Sequence, residues 1–148
     1  MSSVYHNILV ALDGSADADR ALEQAVELAR DQHARLTLVT VVPPLSGLAA
    51  MTPSAGEQAI ATRRGHEQLL REATDRMPED IGVTTLLLDG HPARRIIESA
   101  REHGHDLIVM GSHGRGRVGT ALLGSVSQQV VHHACVPVLV CHAQRVAA

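Results

Sequence analysis

Gly111–Ser125, GSHGRGRVGTALLGS, sets five glycines and two arginines between a short apolar run ending at Met110 and a segment of helical periodicity. A strand that breaks into so many glycines brings bare backbone close to something. Exposed amides followed by a helix N-terminus make a concavity suited to anionic oxygen, phosphate above all. The remainder of the chain reads as the scaffold that presents this loop.

Working outward, Asp106–Met110 (DLIVM) is a buried strand leading into the loop. Val126, Val130, Val131 and Ala134 form the apolar stripe of the helix after it, and Val136–Cys141 is a last strand. Upstream, Asn7–Leu12 (NILVAL) is a strand closed by Asp13-Gly14-Ser15. Ser15 is an N-cap, Asp17 and Asp19 favour the positive helix end, and Ala18, Ala21, Leu22, Ala25, Val26 and Ala29 face a core as far as about Asp31. Arg35–Val42 is a β-rich strand ended by Pro43-Pro44. The stretch from there to Gly56 is long for a routine connection, and is either mobile or folded over a site. Glu57–Met77 repeats Ile60, Leu69, Leu70, Ala73 and Met77 at helical intervals before Pro78. Ile81–Leu88 is a strand, and Pro92 opens a helix with Ala93, Ile96, Ile97 and Ala100 inward and Gly104 as its stop.

Strands alternating with helices predict one α/β domain over residues 1–148, a Rossmann-like five-stranded parallel sheet with helices on both faces. The expected strand order is 3-2-1-4-5, so the winding reverses between strands one and four. Ligands bind at strand C-termini beside such a reversal, which predicts that Asp13 and Gly111 line one cleft.

Composition narrows the chemistry. The chain has 148 residues, 45% of them hydrophobic, with a formal charge of −3 and no Phe or Trp. Val, Leu, Ile and Ala must therefore fill the core, as suits a buried parallel sheet. All 13 basic residues are Arg, which excludes Schiff-base, pyridoxal-phosphate and Walker lysines. The acidic balance and missing aromatics argue against nucleic-acid binding. No apolar run approaches the ~20 residues that span a bilayer, and no basic region precedes the first strand, so the expectation is a cytoplasmic protein without signal peptide or membrane insertion. Cys135 and Cys141 are expected to be reduced, small apolar residues.

Gly114-Arg115-Gly116-Arg117-Val118-Gly119 matches GxGxxG, but not in the first strand–helix turn and with no acidic residue closing a second strand. Gly119–Ser125 has P-loop spacing with Ser125 where the lysine must stand. The better fit is Gly111-x2-Gly114-x9-Gly124-Ser125. With the opening ILVALDGS, Val41 before a proline-bearing loop, DLIVMGSHG and the closing VPVLV, it resembles the ATP-binding branch of the universal stress protein family over the whole chain. The resemblance implies Asp13 and Val41 near ribose and adenine, and Met110, Gly111, Gly114, Gly124 and Ser125 along phosphates and ribose. Ala11 and Val126 fall at the margins. It also implies a homodimer joined through the last strand, whose uncovered apolar edge would otherwise invite aggregation.

Several positions keep two readings. Asp13 is a turn aspartate or a ribose ligand. Ser125 with Gln128 forms a capping box or serves the ligand. Arg115 and Arg117 are solvated charges or neutralise β- and γ-phosphate oxygens, and His113 lies on the loop surface or reaches phosphate. The other histidines, including the adjacent His132 and His133, show no metal-ligand spacing and are expected at the surface. The expectation is a cytosolic homodimeric regulator that binds ATP, with Mg2+ or Mn2+ accompanying the triphosphate, and turns it over little or not at all. A regulated protein such as a transporter is the implied partner class. The rivals are a slow ATPase or adenylyl-transferring enzyme with Asp13 or His113 assisting, and an interaction module that binds no nucleotide.

Overall fold

A computed structural model of the chain describes residues 4–113 and 123–143. Five strands, β1 (Asn7–Ala11), β2 (Arg35–Val42), β3 (Val83–Asp89), β4 (Leu107–Gly111) and β5 (Val138–Cys141), form one all-parallel sheet in the order β3-β2-β1-β4-β5. Four helices connect them: α1 (Ala16–Gln32), α2 (Ala55–Asp75), α3 (Pro92–Glu102) and α4 (Ser125–His133). The predicted architecture and strand order are those observed.

Because side chains alternate along a strand, each central strand feeds two cores. Ile8, Val10, Leu36, Leu38, Leu107 and Val109 pack with Ala21, Leu22, Ala25 and Ala29 of α1 and Leu70 and Ala73 of α2. Leu9, Val39, Val41, Ile108 and Met110 pack on the opposite face with Ala93, Ile96 and Ala100 of α3 and Val130 of α4. Small alanines on α1 let it lie close to the sheet, which offsets the lack of aromatic bulk. The Ser15 hydroxyl accepts from the Ala18 amide at 3.1 Å, as a capping serine should. Ser15→Ala is expected to cost about 1 kcal/mol, read by urea unfolding.

Three apolar positions differ from expectation. Ile60 is 56% exposed. Arg63, one turn later, pairs with Asp89, the last residue of β3, at 2.8 Å, and Ile60 lies at the strand ends beside Val42, Pro43 and Pro44. Val131 is 46% exposed, since Ser127 and Val130 are the residues that α4 turns inward. Cys135 is exposed at the turn into β5, whereas Cys141 is buried in the core. Between Pro43 and Gly56 the chain makes a 3-10 turn, Gly47–Met51, with Leu48 and Met51 in solvent. Among the described residues, no helix is long and apolar enough to cross a membrane.

Candidate functional site

β1 stops at Ala11, beside Val39, while β2 and β3 run on to Val42 and Asp89. The sheet therefore has a notch where its winding reverses. Asp13 and Gly14 form the turn out of that notch. Gly14 has φ +82°, a left-handed geometry that favours glycine. Asp13 Oδ1 accepts from the Ser15 amide at 2.9 Å, so the turn role is present. Asp13 also lines a cleft of about 560 Å3 shared with Thr62, Gly65, His66, Gln68 and Glu72 of α2, a size suited to a small-molecule ligand. The His66 ring is anchored at the back by Thr40, Nδ1 to Oγ1 2.8 Å. Gly111 is not among the residues lining this cleft.

The other predicted site residues fall into groups. Ala11, Val41, Met110 and Val126 gather in the core between the sheet and α3 and α4. Gly111 lies against the first turn of α1: a β-carbon there would meet the Ala18 nitrogen at 2.7 Å and Asp17 at 2.8 Å. Its lack of a side chain is thus required by packing. Gly124 is the N-cap of α4 and Ser125 its exposed first residue. The Ser125 capping box is therefore not formed, since the N-cap is a glycine with no side chain to cap the helix. The hydroxyl that folds back is that of Ser127, which donates to the Gly124 carbonyl at 3.0 Å and to the Ser112 carbonyl at 2.7 Å. Gly114, Arg115 and Arg117 lie outside the described residues.

His113 is 8% exposed, which overturns the loop-surface reading. It is held in a junction that sequence reasoning missed, centred on Asp17 and Ser112. Ser112 Oγ donates to Asp17 Oδ2 at 2.6 Å. With that proton committed, its lone pairs face Nδ1 of His113 at 3.1 Å and of His142 at 2.8 Å, so both rings present Nδ1–H. The amides of His113 and Ala143 donate to Asp17 Oδ2 and Oδ1 at 3.1 and 2.8 Å. Burial pushes the Asp17 carboxyl up, but the Ser112 hydroxyl, the two amides and the His113 ring together hold it below its ordinary value. Ser112 itself is fully buried, donates its amide to the Cys141 carbonyl at 2.8 Å, and accepts the Gly124 amide at 2.6 Å. The two ends of the glycine-rich loop, the first turn of α1 and the exit of β5 are thereby tied at one point. Asp17 and Ser112 are 95 residues apart, and nothing local in the sequence pairs them.

This arrangement can hold an anion at the first turn of α4, where an uncapped helix N-terminus and the exposed Ser125 hydroxyl offer donors. Among the described residues, no group of three or more His, Cys, Asp or Glu is placed to hold a metal.

Comparison with known proteins gives a consistent result. The universal stress protein family matches residues 4–142. A universal stress protein of Thermus aquaticus, encoded in the 3′ region of a QAH/OAS sulfhydrylase, is 36% identical over 136 residues, 92% of this chain and 98% of that protein. A universal stress protein solved in complex with cAMP is 28% identical with a TM-score of 0.70, covering 96% of this chain and 100% of that one. One from Archaeoglobus fulgidus solved in complex with dAMP is 25% identical with a TM-score of 0.58, covering 93% and 98%.

Proposed function

The chain belongs to the universal stress protein family, and from that premise we propose that it is a cytoplasmic homodimer that binds ATP as a regulatory ligand and turns it over little or not at all. The observation that carries this reading is the reversal of winding between β1 and β4. It sets the turn bearing Asp13 and the start of the glycine-rich loop on neighbouring strands, at their C-terminal ends, where open α/β sheets take ligands. The similarity to proteins solved with cAMP and dAMP supports an adenine nucleotide.

In this reading Asp13 takes the ribose and the backbone around Val41 the adenine, with Ala11 and Val126 at the margins. The amides of Gly114 and Gly124 and the hydroxyl of Ser125 take phosphate and ribose oxygens. Met110 and Gly111 set the position of the loop from below. Arg115 and Arg117 neutralise the outer phosphates, with Mg2+ or Mn2+ accompanying them. His113 is not assigned to the ligand, since its ring serves the buried junction. A chain without lysine lacks the usual phosphate-transfer cation, which favours a binding role, with a regulated protein as the downstream partner.

Mass spectrometry of small molecules released from the purified protein, followed by ATP titration, tests the reading. Retained adenine nucleotide and saturable binding are expected, with binding abolished in Gly114→Val. An empty protein with no thermal shift on adding ATP would overturn it. Rapid ATP hydrolysis with magnesium that disappears in Asp13→Asn would replace passive binding by catalysis. For the dimer, among the described residues β5 pairs only with β4, which leaves Leu139 37% exposed. Leu139→Arg is expected to give a folded monomer by light scattering; an unchanged mass would place the subunit contact elsewhere.

A further inference from the structure

Asp17 divides its carboxylate between the start of the glycine-rich loop and the exit of β5, two segments far from it in sequence. Oδ2 receives the Ser112 hydroxyl and the His113 amide, where β4 gives way to the glycine-rich loop. Oδ1 receives the amide of Ala143, just past the end of β5. The Ser112 carbonyl in turn accepts the Gly124 amide and the Ser127 hydroxyl, so the start of α4 moves with the residue that Asp17 holds. Gly111 adds a second, independent constraint, because its α-carbon is packed against the backbone of Asp17 and Ala18 with no room for one more carbon. A shift of the loop ends therefore cannot be absorbed by sliding β4 away from α1. It is passed to the exit of β5 through the Asp17 carboxylate and the Ala143 amide, beside the direct contacts of Ser112 with the Cys141 carbonyl and the His142 ring.

We propose that Asp17 is a positioning residue that couples the glycine-rich loop to the exit of the C-terminal strand, so that ligand on the loop and the state of the β5 edge bias one another. The proposal deepens the nucleotide-binding reading and rests on it for the identity of the ligand, but the mechanical link stands on the junction alone. Reciprocity follows: if nucleotide tightens the β5 exit, a change made at that exit alters nucleotide affinity by the same factor.

Amide hydrogen exchange on the full-length protein, with and without ATP and magnesium, reads the link. In the wild type, ATP is expected to slow exchange at His113 and Gly124 and, by about tenfold, at Ala143 as well. In Asp17→Asn one side-chain oxygen becomes an amide donor, so either the His113 or the Ala143 link is set donor against donor. The effect of ATP on Ala143 should then fall well below that in the wild type, whereas an undiminished effect would mean that the direct contacts of Ser112 with Cys141 and His142 carry the link without Asp17. Ala143→Pro approaches the link from the other side: it deletes the N–H that Asp17 holds, and also fixes φ at that position and restricts His142. Without any nucleotide, it is expected to speed exchange at His113 and Gly124, and to weaken ATP binding about five- to tenfold. Protection of Ala143 that ignores ATP in the wild type, or loop-end amides that ignore Ala143→Pro, would overturn the coupling. A wild type that binds no ATP at all would overturn the nucleotide reading, while the nucleotide-free arm would still decide the link.

Discussion

Gly111→Ala lowers the stability of the nucleotide-free protein by about 2–3 kcal/mol, the upper part of the range for an added carbon in a packed interior. The neighbours of the new methyl are the Ala18 nitrogen and the carbonyl carbon and Cβ of Asp17 at 2.7–2.8 Å, and backbone with its first side-chain carbon in the opening turn of a capped helix does not step aside as a side-chain tip would. Either α1 lifts off β4 or β4 bends, and both disturb the core shared by Ala21, Leu22 and Val109. Thermal unfolding should begin about 5–10 °C lower. A glycine kept only for close approach to phosphate would give the opposite pattern, an unchanged melting temperature without ligand and a lost response to ATP. The two outcomes separate packing from recognition at this position.

Asp17→Ala is expected to cost more, about 3–5 kcal/mol, because it strands the amides of His113 and Ala143 and the Ser112 hydroxyl without their acceptor. The loss should depend on pH. The Asp17 carboxyl is held below its ordinary value in the folded protein, so the unfolded chain takes up the proton first. Its contribution is present above the unfolded carboxylate pKa and fades as pH falls through the lower folded value. His105 adds a second acid-sensitive element. Burial is the largest influence on its ring and pushes it below the usual imidazole range, so stability from the neutral ring is lost as pH falls toward that folded value. Urea unfolding from neutral pH downward should show wild type and Asp17→Ala weakening together through the histidine range. They should converge only where the carboxylate itself protonates. A constant gap at every pH would mean that the charge on Asp17 contributes nothing.

The sheet was legible because its strands are nearly continuous apolar runs, each ended by residues that cannot extend a ladder: Asp13-Gly14 after β1 and Pro43-Pro44 after β2. Alternation along Ile8, Leu9 and Val10 sends side chains to two cores, which is why the runs are continuous. Ile60 and Val131 were misplaced because helical periodicity marks only a broad face: α2 carries Ile60 to the ends of the strands, and α4 turns Ser127 and Val130 inward in place of Val131. The capping-box alternative for Ser125 fails because such a box is a local pattern, while the helix starts one residue earlier and the hydroxyl of Ser127 answers to a carbonyl on another element. Asp17 was visible only as an acidic residue in a first helical turn. Its real partners arrive from β4 and β5, and no spacing rule spans that separation. His113 was read as part of a loop when its ring belongs to the interior.

The carbonyl of Ser112 accepts both the Gly124 amide and the Ser127 hydroxyl, so the glycine-rich segment leaves and rejoins the fold through one closed gate. A segment anchored in this way is nearly independent of the sheet in sequence terms. Doubling the length of such a loop costs only about 0.6 kcal/mol of closure entropy. Substitutions or insertions between the anchors are therefore expected to leave the domain folding as before. On the proposed nucleotide role, ligand preference becomes the part of this architecture that is free to diverge, and the ring of contacts around Ser112 the part that is not.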